Sequence, residues 1–249
     1  MTTNTQPILT IVTALLDGDE AVFETADSLT DQLGADCRWL VKLSTERPRT
    51  DLSRLQRLPF VDVVKQSDDS IYAGLNQALG AIGSDWFMVV GAGDKLVPGG
   101  VPALVQDLTR ADEIDAVFFG TRHLGSRRDL LPRPADLPVR MACPHPSSLL
   151  RTTKALQIGG FDTGYKIAAD YDLMSRYVRA FSKVAWSDRI LVEFKGQGMS
   201  ERRALEGALE EELVRRRVWQ SSDLGVCERM LELLPRYRAA LRRMHAMTA

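Results

Sequence analysis

A chain of 249 residues, 45% hydrophobic and 26% charged, with a formal net charge of -1, is long enough for a proper core and argues against bulk nucleic-acid binding. Its three cysteines, Cys37, Cys143 and Cys227, are odd in number, far apart and without metal-ligand spacing, which fits a reducing compartment better than a disulfide scaffold. No apolar run approaches the roughly twenty residues of a membrane-spanning helix, and residues 1–6 lack the charged and apolar regions of a signal peptide. The expectation is therefore a cytoplasmic protein with at most peripheral membrane contact.

Residues 8–14 are rich in β-branched side chains and run into Asp17-Gly18-Asp19, which predicts a first strand and a loop. Over residues 20–33, Val22, Ala26, Leu29 and Leu33 share one helical face, and Gly34 is a plausible stop. Residues 37–43 read as a second strand, Leu52, Leu55 and Leu58 as a short helix, and residues 60–64 as a third strand. Ile71, Leu75, Leu79 and Ile82 then recur at helical spacing, behind Ser and Asp residues suited to an N-cap. Trp86 to Val90 is a short continuous apolar run, as expected of a strand buried on both faces. It ends in Gly91-Ala92-Gly93-Asp94. Strands alternating with helices argue for a doubly wound sheet with right-handed crossovers. A lone carboxylate past the carboxyl end of such a strand is where this architecture presents chemistry to a ligand.

Beyond Asp94, residues 98–110 look helical and residues 115–120 look like a strand. Pro132, Pro134 and Pro138 punctuate a loop. Residues 147–150 suggest a strand, a helix begins near Tyr171 with Asp170 or Asp172 in its first turn, and residues 183–186 and 190–194 suggest two further short strands. From Glu201 the composition turns helical and charge-dense through Leu213 and Trp219, with a last amphipathic helix over residues 235–247. There Arg236, Arg238, Arg242 and Arg243 flank Tyr237, Leu241 and Met244. Such a helix can lie on anionic lipid, but more often its apolar stripe packs on its own domain or on a second subunit. A homodimer through this extension is a reasonable expectation.

Four stretches together resemble the bacterial family 2 glycosyltransferases of the GT-A fold. They are residues 9–14; Asp68 to Asn76, similar to the family pattern at Asp68, Ile71, Tyr72 and Asn76; Gly91 to Asp94, where these enzymes keep a metal-binding acidic motif; and Gly159-Gly160-Phe161-Asp162 followed by residues 166–173. A weaker fifth match is residues 194–200, similar to a loop that closes over the donor. The resemblance implies a catalytic domain over residues 1–200, with a nucleotide-binding half to residue 110 and an acceptor or sugar half after it. A helical extension follows over residues 201–249.

It also implies roles. Thr13 and Ala14 at the end of the first strand, Asp68, Tyr72 and Asn76, and Gly91, Ala92 and Gly93 would bind the nucleotide sugar; Asp94 would hold a divalent metal, Mn2+ or Mg2+; Asp170 would be the catalytic base. The chain departs from the pattern twice. Leu43 stands where the family usually has an aspartate for the nucleotide base, and Gly91 and Gly93 stand where leading carboxylates are usual, so a metal needs another ligand. His145, between Pro144 and Pro146, is the candidate.

Each role has a plainer alternative that the residues alone leave open. Asp94 could make a turn with Gly93; His145 could be a hydrogen-bonded residue of a proline-rich turn; Asp170 and Asp68 could be helix caps; Tyr72 and Asn76 could simply pack. Cys143 lacks an evident base partner and reads as structural. The function implied is a metal-dependent, inverting glycosyltransferase with a nucleotide-diphosphate sugar donor and a small-molecule or glycan acceptor. Two rivals keep the fold: a metal-dependent nucleotide-sugar mutase interconverting ring forms without an acceptor, and a non-catalytic nucleotide-sugar-binding homologue.

Overall fold

The computed structural model describes residues 6–196, 198 and 202–220. A nine-stranded mixed sheet runs through it in the order β3-β2-β1-β4-β8-β6-β9-β5, with β7 paired to β6. The strands are β1 (Leu9–Leu15), β2 (Cys37–Leu43), β3 (Val61–Lys65), β4 (Trp86–Val89), β5 (Lys95–Leu96), β6 (Ala116–His123), β7 (Arg128–Leu130), β8 (Ser148–Arg151) and β9 (Val184–Phe194). The helices are α1 (Val22–Leu29), α2 (Ser53–Gln56), α3 (Ile71–Ala81), α4 (Gly100–Leu108), α5 (Thr152–Gln157), α6 (Ala169–Ala180) and α7 (Ala204–Trp219).

The first four strands are parallel to one another, as right-handed crossovers require. Beyond β4 the sheet changes character: β8 pairs antiparallel with both β4 and β6, and β9 runs parallel to β6. Alternation along each strand divides the core. In β1, Leu9 and Ile11 pack with Val22, Ala26, Leu29 and Leu104 on one face, while Val12 packs with Leu75, Leu79, Phe118 and Tyr171 on the other. Each of these aliphatic side chains is withdrawn from water almost completely, a gain of roughly 1.5–3 kcal/mol for each Val, Leu and Ile and less for Ala26. Helices therefore cover both faces, and the carboxyl ends of β1 and β4 open toward one edge.

The expected helix over residues 71–82 and strand over residues 37–43 are present. Of the Ser and Asp residues before α3, Ser70 is the one that caps it: its hydroxyl accepts the Ala73 N–H at 3.2 Å. The two short strands expected over residues 183–194 are one strand, β9. The polar Ser187-Asp188-Arg189 break suggested a separation, but the chain crosses it as an irregularity beside Gly120, where the pairing register shifts. A Cβ on Gly120 would lie 2.8 Å from Ile190 Cδ1 and 3.2 Å from the Asp188 carbonyl, so glycine permits this close passage. Strands β5 and β7 and helix α5 carry too few residues for a periodicity and were not expected. The proposed last helix over residues 235–247, with Cys227, lies outside the described residues. Among the described residues, no helix is long and apolar enough to cross a membrane.

Candidate functional site

The site is built from two ends. On one side, β4 delivers the chain into the loop Gly91 to Asp94. Asp94 is 3% exposed, and its carboxylate folds back onto its own loop: Oδ2 accepts the Gly91 N–H at 3.2 Å and Oδ1 accepts the Lys195 N–H, from the end of β9, at 2.9 Å. A Cβ at Gly91 would stand 2.9 Å from Oδ2, and one at Gly93, whose φ is +90°, would stand 2.7 Å from Lys195 Cδ. The glycines are thus the spaces that let the Asp94 and Lys195 side chains lie where they do. Burial pushes the Asp94 carboxyl up to about 6, although the two N–H donors work against that rise.

On the other side, His145 opens a short 3-10 turn before β8 and Asp170 lies in the first turn of α6. His145 Nδ1 and Asp170 Oδ2 are 3.7 Å apart, with side chains 20% and 26% exposed. Burial depresses the imidazole to about 4 and raises the carboxyl to about 6. Near neutral pH the ring is therefore neutral and the carboxylate charged, which leaves an imidazole lone pair free to bind a ligand. The side chain of Asp170 does not cap α6; its Oδ1 accepts the N–H of the next residue, Tyr171, at 2.8 Å.

Both ends line one cavity of about 630 Å³, together with Ala14, Tyr72 and Gly91, a volume within the usual range for small-molecule sites. The cavity also takes residues that sequence reasoning missed, Thr121, Leu130, Leu131, Arg133 and Met141, and Phe194, the first residue of the weaker fifth match, lines it too. Arg133 and Arg140 bring positive charge to it, with Arg140 hydrogen-bonded to Asp136 at 2.5 Å. The dense Arg and Leu pattern over residues 127–133 was the available signal, but nothing in it reveals that β7 folds over the site.

Five of the expected binding residues do not line the cavity. Thr13 is fully buried; its hydroxyl donates to the Val90 carbonyl at 2.8 Å and accepts the Trp39 indole N–H at 3.0 Å, tying β1, β2 and β4 together. Asp68 is engaged by Lys42, whose ammonium lies 2.5 Å from Oδ2 and also reaches the Leu43 and Gln66 carbonyls. Both side chains are essentially inaccessible, so Asp68 serves as the counter-charge of a buried lysine instead of capping α3. Asn76 grips the backbone of Phe161: its Nδ2 donates to the carbonyl and its Oδ1 accepts the N–H, both at 2.8 Å. Ala92 and Gly93 belong to the loop but not to the cavity lining, and the Gly93 N–H donates to the Thr25 hydroxyl at 3.0 Å. Tyr72 does face the cavity, but its hydroxyl is already committed to the Ile167 carbonyl at 2.5 Å.

As a metal centre the donor set is small. Among the described residues there is no group of three or more His, Cys, Asp or Glu able to hold an ion. Asp94 and His145 supply one carboxylate, each oxygen of which has a lone pair beyond its single N–H partner, and one neutral imidazole. Two protein donors would leave most positions of a divalent cation to oxygens of other groups and to water.

No family model matches the chain, and no curated protein matches it in sequence. Solved structures do. TarS from S. aureus, determined as residues 1–349 in complex with UDP, superposes with a TM-score of 0.65 at 11% identity, over 89% of this chain and 68% of that one. The mannosyltransferase PcManGT from Pyrobaculum calidifontis, in complex with GDP-Man and Mn2+, gives 0.64 at 14% identity, over 97% and 76%. Glucosyl-3-phosphoglycerate synthase from Mycobacterium tuberculosis, with Mn2+, UDP and phosphoglyceric acid, gives 0.59 at 15%, over 84% and 78%. At such identities the likeness defines the architecture. The fold is GT-A, a mixed sheet with helices on both faces.

Proposed function

We propose that this protein is a glycosyltransferase that uses a nucleotide-diphosphate sugar and inverts the configuration of the transferred sugar. The observation that carries the reading is the pairing across one cavity of Asp94, beyond the end of a parallel strand, with Asp170, in the first turn of a helix from the other half. A GT-A sheet that opens such a cavity at its carboxyl edge supports the same reading, as do the UDP and GDP-Man in the complexes of its structural neighbours.

The donor would lie with its diphosphate toward Asp94 and His145 and its sugar toward Asp170. Asp94 and His145 would hold a divalent cation, Mn2+ or Mg2+, which when bound neutralises charge on the departing diphosphate. Asp170 would accept the acceptor hydroxyl proton as that oxygen attacks the anomeric carbon and the bond to the diphosphate breaks. Its carboxyl, raised by burial, is more basic than an ordinary aspartate yet still charged at neutral pH. The largely apolar walls from Leu130, Leu131 and Met141 would exclude water from competing for the sugar.

The test offers purified protein a panel of nucleotide sugars with Mn2+ or Mg2+, following binding by calorimetry and products by mass spectrometry. Transfer to an acceptor, loss of transfer in Asp170→Asn, and loss of metal-dependent nucleotide affinity in Asp94→Asn are the expected results. A wild-type protein that neither binds nor turns over any of them sinks the proposal. A product of unchanged mass formed without acceptor would replace transfer by isomerisation.

A further inference from the structure

The helix that carries Asp170 has no cap of its own. Its N-cap residue, Ala168, offers no side-chain cap, and within the first turn the Asp170 carboxylate takes the Tyr171 N–H. Four backbone N–H groups at a helix start need acceptors from elsewhere. The amides that lead into it are met from 42 to 44 residues downstream: Glu210, on α7, accepts the N–H of the N-cap Ala168 at 2.9 Å and, just ahead of the helix, those of Ile167 at 2.7 Å on the same Oε2 and of Lys166 at 2.9 Å on Oε1. Three consecutive amides thus converge on one carboxylate, placed where a negative charge at a helix N-terminus is favoured.

The same short segment is held from the cavity side, since the Ile167 carbonyl accepts the Tyr72 hydroxyl. It is packed from behind by Gly207 of α7, where an added Cβ would come within 3.1 Å of Ile167 Cγ2. Residues 166–168 are therefore clamped between the cavity wall and α7, and Asp170 follows two residues later.

We infer that Glu210 is a positioning residue for Asp170: the α7 carboxylate fixes the start of α6 and thereby the direction in which Asp170 points into the cavity. This rests on the transferase reading, in which Asp170 meets the acceptor. Glu210 does not line the cavity, and it acts chiefly through backbone placement, with its negative charge a lesser influence on the Asp170 carboxyl. A displacement of about 1 Å at a reacting group costs up to about 100-fold in rate, and loss of three amide contacts frees the segment by that order.

The experiment compares wild type, Glu210→Ala, Glu210→Gln and Asp170→Asn in the full-length protein, with kcat and donor KM measured separately and amide hydrogen exchange read at residues 166–168. Glu210→Ala is expected to lower kcat about tenfold to 100-fold with donor KM unchanged, and to speed exchange at Ile167 and Ala168. Glu210→Gln keeps an oxygen in the Oε2 position and is expected to restore most of kcat. Wild-type kcat in Glu210→Ala while Asp170→Asn is inactive overturns the inference. So does a loss that Gln fails to restore, or one that tracks the folded fraction. Should Glu210→Ala not fold, Glu210→Gln against wild type decides alone: a kcat within twofold of wild type and unchanged exchange at Ile167 support the assignment, and a kcat as low as that of Asp170→Asn overturns it. If wild type turns over no nucleotide sugar, the transferase reading fails, while the exchange measurement still tests the clamp.

Discussion

The grip of Asn76 on Phe161 predicts a specific coupling with Gly160. Gly160 has φ +65°, and a Cβ there would lie 2.5 Å from Asn76 Oδ1. Replacing Asn76 by Ala removes both acceptor and donor from the Phe161 backbone, whose residue is 1% exposed. Two buried backbone groups without partners cost roughly 1–3 kcal/mol each, so Asn76→Ala should destabilise by about 3 kcal/mol. Gly160→Ala alone should cost about 1–2 kcal/mol for the left-handed backbone and about 1 kcal/mol more for the contact with Oδ1. In the Asn76→Ala background that oxygen is gone and only the backbone cost remains. Urea denaturation of wild type, both single variants and the double variant measures the cycle. The double variant should be more stable than the sum of the singles predicts, by about 1 kcal/mol or more. Strict additivity would refute the argument that Asn76 and Gly160 form one unit.

Three further outcomes follow from the site and its surroundings. In chelator, Asp170→Asn and His145→Gln should change the pH dependence of stability in opposite senses. Burial raises the Asp170 carboxyl from 3.8 to about 6, so the unfolded chain releases that proton first and the group loses up to about 3 kcal/mol of stability as pH rises from 4 to 6; His145, depressed from 6.5 to about 4, gains over the same window. Denaturant midpoints at pH 4.5 and 7 should therefore rise more with pH in Asp170→Asn than in wild type, and less in His145→Gln. Lys42→Met should cost about 3–5 kcal/mol by stranding the Asp68 carboxylate, and Lys42→Met with Asp68→Leu should recover most of it; thermal unfolding of the pair against the single checks this. Gly91→Ala should displace the Asp94 carboxylate and weaken metal-dependent nucleotide binding about tenfold with little change in fold, as calorimetry and circular dichroism would report.

The first hundred residues were legible because their signals are local. Cys37–Leu43 is a strand by its own residues, and Ser70 before an apolar helical stripe announces α3 whatever the rest of the chain does. Of the cavity's lining residues, Asp94 and Asp170 were reachable through their motifs, and His145 as the second ligand sought for an expected metal. What could not be read is pairing at long range. Asp68 and Asn76 carry the residue types of a binding motif, yet their partners are Lys42 and the Phe161 backbone, 26 and 85 positions away. A carboxylate or amide gives no sign in sequence of whether it faces a ligand or a buried partner. Strand β9 was split in two for a related reason: its polar middle reads as a break, and only its neighbour Gly120 explains how the sheet continues past it.

The fold-back of Asp94 onto Gly91 also bears on how such a chain can change over generations. Oδ2 of Asp94 already occupies the space into which a side chain at position 91 would grow. A second carboxylate at 91 therefore cannot be gained by one replacement while Asp94 keeps its present rotamer, because the newcomer and the resident would contend for one volume with like charges. The two positions can alter only together, through an intermediate that loses the tie between Asp94 and the end of β9. An acidic loop that has once closed in this way tends to keep its single carboxylate.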